Sequence, residues 1–293
     1  MDSLTAAVRD VMGGIPVTVA ARNHGVPRTT LRWRLQAEER AAAGKRATGT
    51  VKAALCLYDI HMPHDEWPHL MLAAEYAKSR HHITHVILGG DILDCEGISR
   101  FAKGPDTMPL HEEIADAVYK LGKLRDLFPS ASWSYVKGNH EHRLQAYLWN
   151  KAAEIAALKG LTIPEQLELD RLGITWVDND ALKQRSGRYY SFGKLNILHG
   201  HELGICPRVN PAHRFLERAK ASLMVGHIHT ADEKFAKNID DQTIGCHCVG
   251  TLANMHPAYR PQNDWVAGFA VVELDHDGYY RVDNRKIIDG RIV

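Results

Sequence analysis

The sequence predicts an α/β sandwich built on a mixed sheet, preceded by a small all-α unit, and three observations lead there. From Val51 onward, short apolar runs end in Asp, Gly or His and are separated by stretches of helical spacing. In the first half of that region strands alternate with helices, whereas in the second half strands follow one another, which disfavours a simple doubly wound sheet. Before Val51 the pattern is purely helical. Residues 4–12 and 17–22 carry apolar residues at helical spacing, Gly13 and Gly14 part them, and Val26-Pro27-Arg28-Thr29-Thr30 opens a third helix. Residues 37–50, AEERAAAGKRATGT, hold no large apolar side chain and read as a helix end running into a linker. The expected organisation is therefore a module over 1–36, a linker over 37–50 and a main domain over 51–293. Within the main domain the strand candidates are 52–58, 83–89, 132–137, 174–177, 189–198, 222–226, 244–250 and 267–274. The helix candidates are 66–80, 109–127, 141–158 and 211–221.

The 293 residues suffice for one large domain and a small appendage. With 45% hydrophobic and 24% charged residues, the composition excludes disordered and collagen-like chains. The net charge of +1 conceals an excess of Lys and Arg over Asp and Glu in residues 1–50, which predicts a basic surface there. Five cysteines, an odd number without a Cys-x-x-Cys pair, and a start without an apolar signal core lead us to expect a reducing, cytoplasmic setting. No stretch approaches the roughly 20 apolar residues of a membrane span. The 18 histidines are the unusual feature. Several adjoin Gly, Asp or Asn, where a core histidine is not expected, and neutral imidazole is the commonest metal ligand.

Metal-ligand residue types fall just after the strands. Asp59-Ile60-His61 follows AALCLY, Asp91 follows HVILGG, Asn139-His140 follows SWSYVKG, His199 follows LNIL, and His227-Ile228-His229 follows SLMVG. Functional groups of open α/β sheets gather beyond the carboxyl ends of strands. Taken singly, an Asp or Asn after a strand usually just makes a turn, and His227 or His229 is as readily a packing residue. The ordered set of five strand ends points to a site. His64, His142, His201 and His213 are read as structural, and His81, His82 and His85 as surface residues.

In this order the motifs DIH, GGDILD, KGNHEHR, LHGHE and GHIH resemble those of the calcineurin-like metallophosphoesterases over nearly all of residues 51–250, in the style of bacterial and phage phosphodiesterases and nucleases. The resemblance implies a four-layer α/β/β/α sandwich with mixed sheets and two divalent metal ions. One ion would be held by Asp59, His61, Asp91 and His229, the other by Asp91, Asn139, His199 and His227. A bridging carboxylate offsets the repulsion of ions roughly 3.5–4 Å apart, a role that falls to Asp91. Imidazole with carboxylate or amide oxygen suits Mn, Fe or Zn better than Ca or Mg, with Mn as the first expectation. His140 would protonate the leaving oxygen or bind a phosphate oxygen, and Arg143, one helical turn on, would contact phosphate. His201 and Glu202 would orient ligands. Two departures matter: Tyr58 stands where many members have Gly or Ser, and Asp94 is followed by Cys95 where protein phosphatases usually carry Arg. The expected reaction is phosphodiester hydrolysis, with phosphomonoester hydrolysis on nucleotides or proteins as the alternative. The connections 95–110, 159–188 and 251–266 are expected at the entrance, with Trp265, Tyr259 and Arg260 available for stacking or phosphate.

The run VTVAARNHGVPRTTLRWRLQ resembles a helix-turn-helix unit, with Ala21 in the first helix, Gly25 at the turn, and Val26 and Leu31 holding the second. Arg28, Thr29, Thr30, Arg32 and Arg34 would then face DNA, while Trp33 is ambiguous between core and contact. Packing or oligomerisation is the alternative use of such a hairpin. Joined to the hydrolytic site, DNA binding makes a nuclease recruited to DNA one expectation, and a DNA-binding regulator without hydrolytic activity another. The strands near the C-terminus, ending in RVDNRKIIDGRIV, are candidates for pairing in a homodimer.

Overall fold

A computed structural model describes residues 2–35, 38, 51–257 and 260–293. The linker expected over 37–50, apart from Glu38, and Tyr259 lie outside the described residues. The chain divides into two compact units, Met1–Gly49 with Asp275–Asp277, and Thr50–Leu274 with Gly278–Val293.

In the first unit, α1 (Ser3–Met12) starts where Asp2 accepts the Thr5 N–H through its side chain at 2.7 Å, a capping contact that satisfies one free helix donor. Helix α2 (Val17–Asn23) follows, and Gly25, at φ +63°, makes the left-handed turn before α3 (residues 28–35). Ala7, Val8, Ala20, Ala21 and Leu31 form the buried core of this unit. Small alanines let the helices approach, and Leu31 fills the centre. Arg28, Thr29, Thr30, Arg32 and Arg34 are exposed, as is Trp33 at 66%. The ambiguity over Trp33 is thereby resolved in favour of the surface.

The second unit is a four-layer α/β/β/α sandwich with two mixed sheets. Strands β1 (Lys52–Leu57), β2 (His85–Leu88), β3 (Ser132–Val136) and β4 (Ile174–Val177) run parallel and adjacent, with Leu55 opposite Val86 and Ile87 opposite Ser134. The second sheet is led by β5 (Ser191–Phe192), β6 (Leu195–Ile197), β7 (Leu223–Val225), β8 (Asp232–Lys237) and β9 (Thr243–Cys248), in the order β5-β6-β7-β9-β8. The chain returns to the first sheet with β10 (Ala267–Leu274), β11 (Tyr280–Ile288) and β12 (Arg291–Ile292), giving the order β12-β11-β10-β1-β2-β3-β4. Strand β10 joins β1 antiparallel, and β11 pairs with β10 from Tyr280 to Ile287.

The period-2 geometry of a strand sends alternate side chains to opposite faces, so each strand of the first sheet feeds two cores. Ala54, Cys56 and Tyr58 meet Ile197, Met224 and Val249 between the sheets, while Leu55 and Leu57 turn to the helical side. There α4 (Trp67–Arg80), α5 (Leu110–Leu127) and α6 (His142–Lys151) supply Leu70, Leu121 and Leu148. Short α7 (Ile163–Gln166) and α8 (Leu169–Leu172) add Ile163 and Leu169, and α9 (Asn179–Ser186) follows β4. On the outer face of the second sheet, α10 (Pro211–Ala219) packs Phe215 and Leu216 on Leu223, Cys246 and Cys248.

Several elements differ from the expectations. The span 189–198 is a hairpin of two short strands around Gly193, whose φ of +60° permits the reversal. The helix expected over 141–158 ends at Lys151 and is followed by a 3-10 turn at Ala153–Ile155. Strand β8 was not anticipated: its residues DEKFAK are mostly exposed at a sheet edge, so they carry charge in place of an apolar run. Among the described residues, no helix is long and apolar enough to cross a membrane. His81 and His85 are half-buried, contrary to the surface reading, because His81 reaches Glu273 at 2.9 Å and His85 begins β2.

Tyr58 is fully buried between the sheets, and its hydroxyl has no hydrogen-bond partner among the described residues. Leaving a hydroxyl unsatisfied in such surroundings costs about 1–3 kcal/mol. Tyr58→Phe is therefore expected to raise unfolding stability by about 1 kcal/mol or more in denaturant titration. An unchanged or lowered midpoint would show that the hydroxyl is satisfied.

Candidate metal centre

The five ligand-bearing segments leave adjacent strands at the same end of the sandwich. Asp59 and His61 follow β1, Asp91 follows β2 and Asn139 follows β3, all in the first sheet; His199 follows β6, and His227 and His229 follow β7 in the second. The loops are sewn together by their own backbones. The His61 N–H donates to Asp91 O at 2.9 Å, Asp59 N–H to Gly90 O at 3.1 Å, and Gly226 N–H to His199 O at 2.9 Å. Thr251 Oγ1 donates to Asp59 O at 2.7 Å.

Backbone strain concentrates here. Asp59, His61, Asp91, His227 and His229 all have φ between +49° and +67°. Asp and His tolerate this left-handed region better than most residues, yet each such position still costs on the order of 1 kcal/mol or more. Two motif glycines exist for close approach. A Cβ on Gly138 would lie 2.2 Å from Asp91 Oδ1, and one on Gly226 would lie 2.3 Å from Asp59 Oδ2. Tyr58, in place of a small residue, fills the remaining space with its ring against Gly89 and Gly226, and displaces no ligand.

The side chains converge in overlapping sets. Donor atoms of Asp59, His61 and His229 lie within 4.8 Å of one another, as do those of Asp91, His199 and His227, and those of His61, Asp91 and His140. Asp91 Oδ2 stands 3.2 Å from His199 Nε2, 3.7 Å from His140 Nε2 and 3.9 Å from His61 Nε2. Asn139 Oδ1 is 3.2 Å from His199 Nε2, and His61 Nε2 is 3.1 Å from His229 Nε2. Asp59, Asp91, His61, His199 and His229 are buried, and Asp59 Oδ1 faces His229 Nε2 at 3.3 Å with no well-aligned hydrogen-bond donor among the described residues. A buried carboxylate oxygen that faces ring nitrogens without a well-aligned donor, all aimed at the same point, fits a cation. The imidazole, carboxylate and amide donor set suits a divalent transition ion.

Electrostatics follow from this crowding. Burial alone would raise the Asp91 carboxyl, but His140 and His199 hold it well below the usual carboxylate range. Burial disfavours charge on His199, yet Asp91 beside it pushes the imidazole up to about 10. Burial and the neighbouring His199 bring His227 down to about 4. Ligation needs neutral imidazole, so a cation competes with the proton on His199.

Around these residues stands a supporting shell that the sequence reading largely missed. Glu141, fully buried, accepts hydrogen bonds from the backbone N–H groups of Asp91, Ile92, Leu93 and Gly138 at 2.7–3.2 Å and from Tyr135 Oη at 2.7 Å. One carboxylate thus binds the β2 loop to the β3 loop. Asp94 reaches His140 Nδ1 at 2.7 Å and His61 Nδ1 at 3.2 Å, orienting both rings. Arg143 donates to Asp94 O at 2.7 Å and lies 2.8 Å from His140 Nε2, so its guanidinium is anchored to the same pair. Glu202 accepts from the backbone N–H groups of His199 and Gly200 at 3.1 and 2.6 Å, and His201 Nδ1 lies 3.5 Å from it. Glu113 accepts from the Cys95 N–H at 2.6 Å. Glu141 and Asp94 sit inside the quoted motifs, which was the available signal; Glu113 had none.

The centre opens into a cavity of about 180 Å³. Its rim comes from 251–266, as expected, through Arg260 and Trp265, and also from Cys206, Pro207 and Arg208 just after LHGHE, which were not expected. Among the described residues, none from 95–110 or 159–188 lines it. A larger cavity of about 450 Å³ runs from α9 to α10 past Arg188, Tyr189 and Arg218. Among the described residues it is lined by one carboxylate, Glu202, and by no His, Cys or Asp, so its size does not make it the chemical site.

Two predictions follow from the carboxylates. Glu141→Gln removes the charge that four N–H groups share and places an NH₂ among donors; about 2–4 kcal/mol of stability should be lost in denaturant titration, with metal affinity falling about 10- to 100-fold. Wild-type metal affinity in that variant would dismiss the clamp. Burial pushes the Glu113 carboxyl up to about 7 against an ordinary 4.5. The folded state therefore holds a proton that the unfolded chain releases, and the associated stability, complete below about pH 4.5, is lost as pH rises through 7. Glu113→Gln should flatten this part of the stability profile, and a profile parallel to wild type from pH 5 to 8 would refute the assignment.

A profile of the helix-turn-helix, Psq domain family matches residues 1–41. No match was found among curated proteins. Similar solved structures include a single-substitution variant of Vps29 from Entamoeba histolytica, 13% identical with TM-score 0.41, covering 82% of this chain and 96% of that one. Another is the nuclease MPE from Pseudomonas putida, 14% identical with TM-score 0.36, covering 75% of this chain and 84% of that one. In the order of its motifs, in its paired mixed sheets and in the convergence of the residues those motifs carry, the chain is similar to the calcineurin-like metallophosphoesterases, and it bears a helix-turn-helix, Psq-type module at its N-terminus.

Proposed function

We propose that the chain is a dinuclear-metal-dependent phosphodiesterase, recruited to DNA by a module over residues 1–36 joined through 37–50 to a hydrolytic domain over 51–293. The observation that carries this reading is that Asp91 groups with His199 and His227 on one side and with His61 on the other, and His61 in turn groups with Asp59 and His229, a spread of donors that a single ion would not require. One ion would be held by Asp59, His61, Asp91 and His229, and the second by Asp91, Asn139, His199 and His227. Mn is the first choice, with Fe or Zn as alternatives. When bound, the ions supply electrophilic pull on the phosphoryl oxygens and lower the pKa of an attacking water.

The chain's own groups account for the rest. His140 lies beside the ligand set with Nδ1 fixed by Asp94 and Nε2 2.8 Å from the Arg143 guanidinium, so Nε2 gives a proton to the leaving oxygen or binds a phosphate oxygen once Arg143 exchanges that contact for phosphate. Arg143, already within reach of His140 Nε2, takes a phosphate oxygen at the same place. The position after Asp94 supports a diester over a monoester: Cys95 is fully buried and brings no cation to neutralise a monoester's extra charge. Exposed Arg28, Arg32 and Arg34 on α3, with the Psq-type match, support the DNA-binding role of the module.

With Mn²⁺, the protein should hydrolyse bis-p-nitrophenyl phosphate faster than p-nitrophenyl phosphate. Asp91→Ala and His140→Ala should each lower kcat by about 10²-fold or more. Normal turnover by both variants would remove this site from the reaction, and a wide preference for the monoester would make the enzyme a phosphatase. A metal content near zero together with salt-dependent DNA binding would instead mark a regulator.

A further inference from the structure

We propose that Trp265, Arg208 and Arg260 form a nucleotide-reading rim, so that the diester taken by this centre is one flanked by an unpaired base: a single-stranded nucleic acid or a frayed strand end. The inference rests on the phosphodiesterase reading and specifies its substrate.

The first support is size. At about 180 Å³ the cavity is smaller than the roughly 300–1,000 Å³ that encloses a whole small-molecule ligand. It has room for the reacting phosphate, so the remainder of a substrate must be held where the cavity opens. The residues there are an aromatic ring and two cations, the combination by which proteins hold single strands: ring faces stack bases, and guanidinium groups follow phosphates.

The second support is that this rim is built. Asn263 Nδ2 donates to Met255 O at 2.9 Å and to Arg260 O at 3.0 Å, while its Oδ1 accepts the Trp265 N–H at 3.0 Å. One amide thus fixes the backbone of both rim residues. The next N–H, of Val266, donates to His229 O at 2.8 Å, and the Trp265 ring meets the His229 ring edge to face with centroids 4.3 Å apart. The indole is therefore set at a fixed offset from a metal-ligating residue. Arg208, across the cavity on the segment after LHGHE, is exposed and has no carboxylate partner among the described residues. Arg260 pairs with the exposed Asp264 at 3.7 Å, a contact that a phosphate readily replaces.

The third support is access. The candidate ligands Asp59, Asp91, His61, His199 and His229 are all buried, and His61, Asp91 and His229 line the same cavity as the rim residues. A base within a duplex has both faces covered by its neighbours and cannot offer one to Trp265. An unpaired base can turn onto the ring while its own phosphate enters the cavity. Hydrolysis then forms one P–O bond from water, breaks the P–O bond to the leaving sugar, and passes a proton to that oxygen.

The test compares two small diesters that share a leaving group, thymidine 5′-p-nitrophenyl phosphate and methyl p-nitrophenyl phosphate, using Mn²⁺-loaded full-length protein. Wild type should show a lower KM for the nucleotidyl diester. Trp265→Ala should raise that KM about tenfold, leaving kcat and the methyl diester little changed, and Trp265→Phe should restore most of the preference. Arg208→Ala and Arg260→Ala should weaken cleavage of single-stranded oligonucleotides more than cleavage of either small diester. Deoxy- and ribo-oligonucleotides run side by side assign the sugar, and a blunt duplex of the same sequence should be cut at least tenfold more slowly. If wild type cleaves neither diester, the phosphodiesterase reading fails. If it cleaves both while Trp265→Ala and Trp265→Phe keep the wild-type KM ratio, or if the duplex is cut as fast as the single strand, the rim proposal fails alone. Equal loss on both diesters in Trp265→Ala would also overturn it, because the ring would then serve the metal centre and not the base.

Discussion

Two buried carboxylates, Asp59 and Asp91, are brought to neighbouring strand ends among imidazoles, and much of the surrounding structure serves to make that arrangement tolerable. His140 and His199 hold the Asp91 carboxyl low against burial, and Asp91 in return pushes the His199 imidazole up. A buried oxygen such as Asp59 Oδ1, which faces the His229 and His61 rings at 3.3 and 3.9 Å with no well-aligned donor among the described residues, is the unpaid part of the arrangement. A cation would satisfy it, at the expense of the His199 proton.

Keeping the ligands in this position requires strain, and the strain is distributed. Five ligand residues adopt left-handed backbone, and the glycines of GNH and GHIH remove the Cβ atoms that would strike Asp91 and Asp59. Stabilisation comes from outside the ligand set. Glu141 gathers four backbone N–H groups from two loops, Glu202 holds the His199 turn, Thr251 ties down Asp59, and Asp94 sets the angles of His61 and His140. Loops anchored in this way behave as extensions of the sheets, and the sandwich core transmits its rigidity to the centre.

The same logic reaches the rim. Asn263 does for Arg260 and Trp265 what Glu141 does for the ligand loops: one polar side chain collects backbone groups and so fixes where neighbouring side chains stand. The candidate metal centre and the proposed nucleotide-reading rim are thus supported by different polar residues of one domain. The exposed arginines of α3 belong to a separate compact unit with its own small core.

Much was legible from residue order alone. Apolar runs ending in Asp, Asn or His located the strands and the ligand types, because burying a strand on both faces demands an unbroken apolar stretch while the residue after it is free to be polar. Where burial is partial, that signal fails: β8 carries charge at an exposed edge, and α7 to α9 lay hidden in a connection read as loop. The sequence by itself determined the ligand types, their order and the strand ends that carry them, since these depend on local pattern. Only the tertiary structure decided that Glu141 clamps residues 91–93, that Glu113 lies under Cys95, and that Arg208 faces the same cavity as Trp265. Those relations join residues that are distant along the chain, and hydrogen bonding and cavity geometry across such distances leave no periodic trace in a sequence.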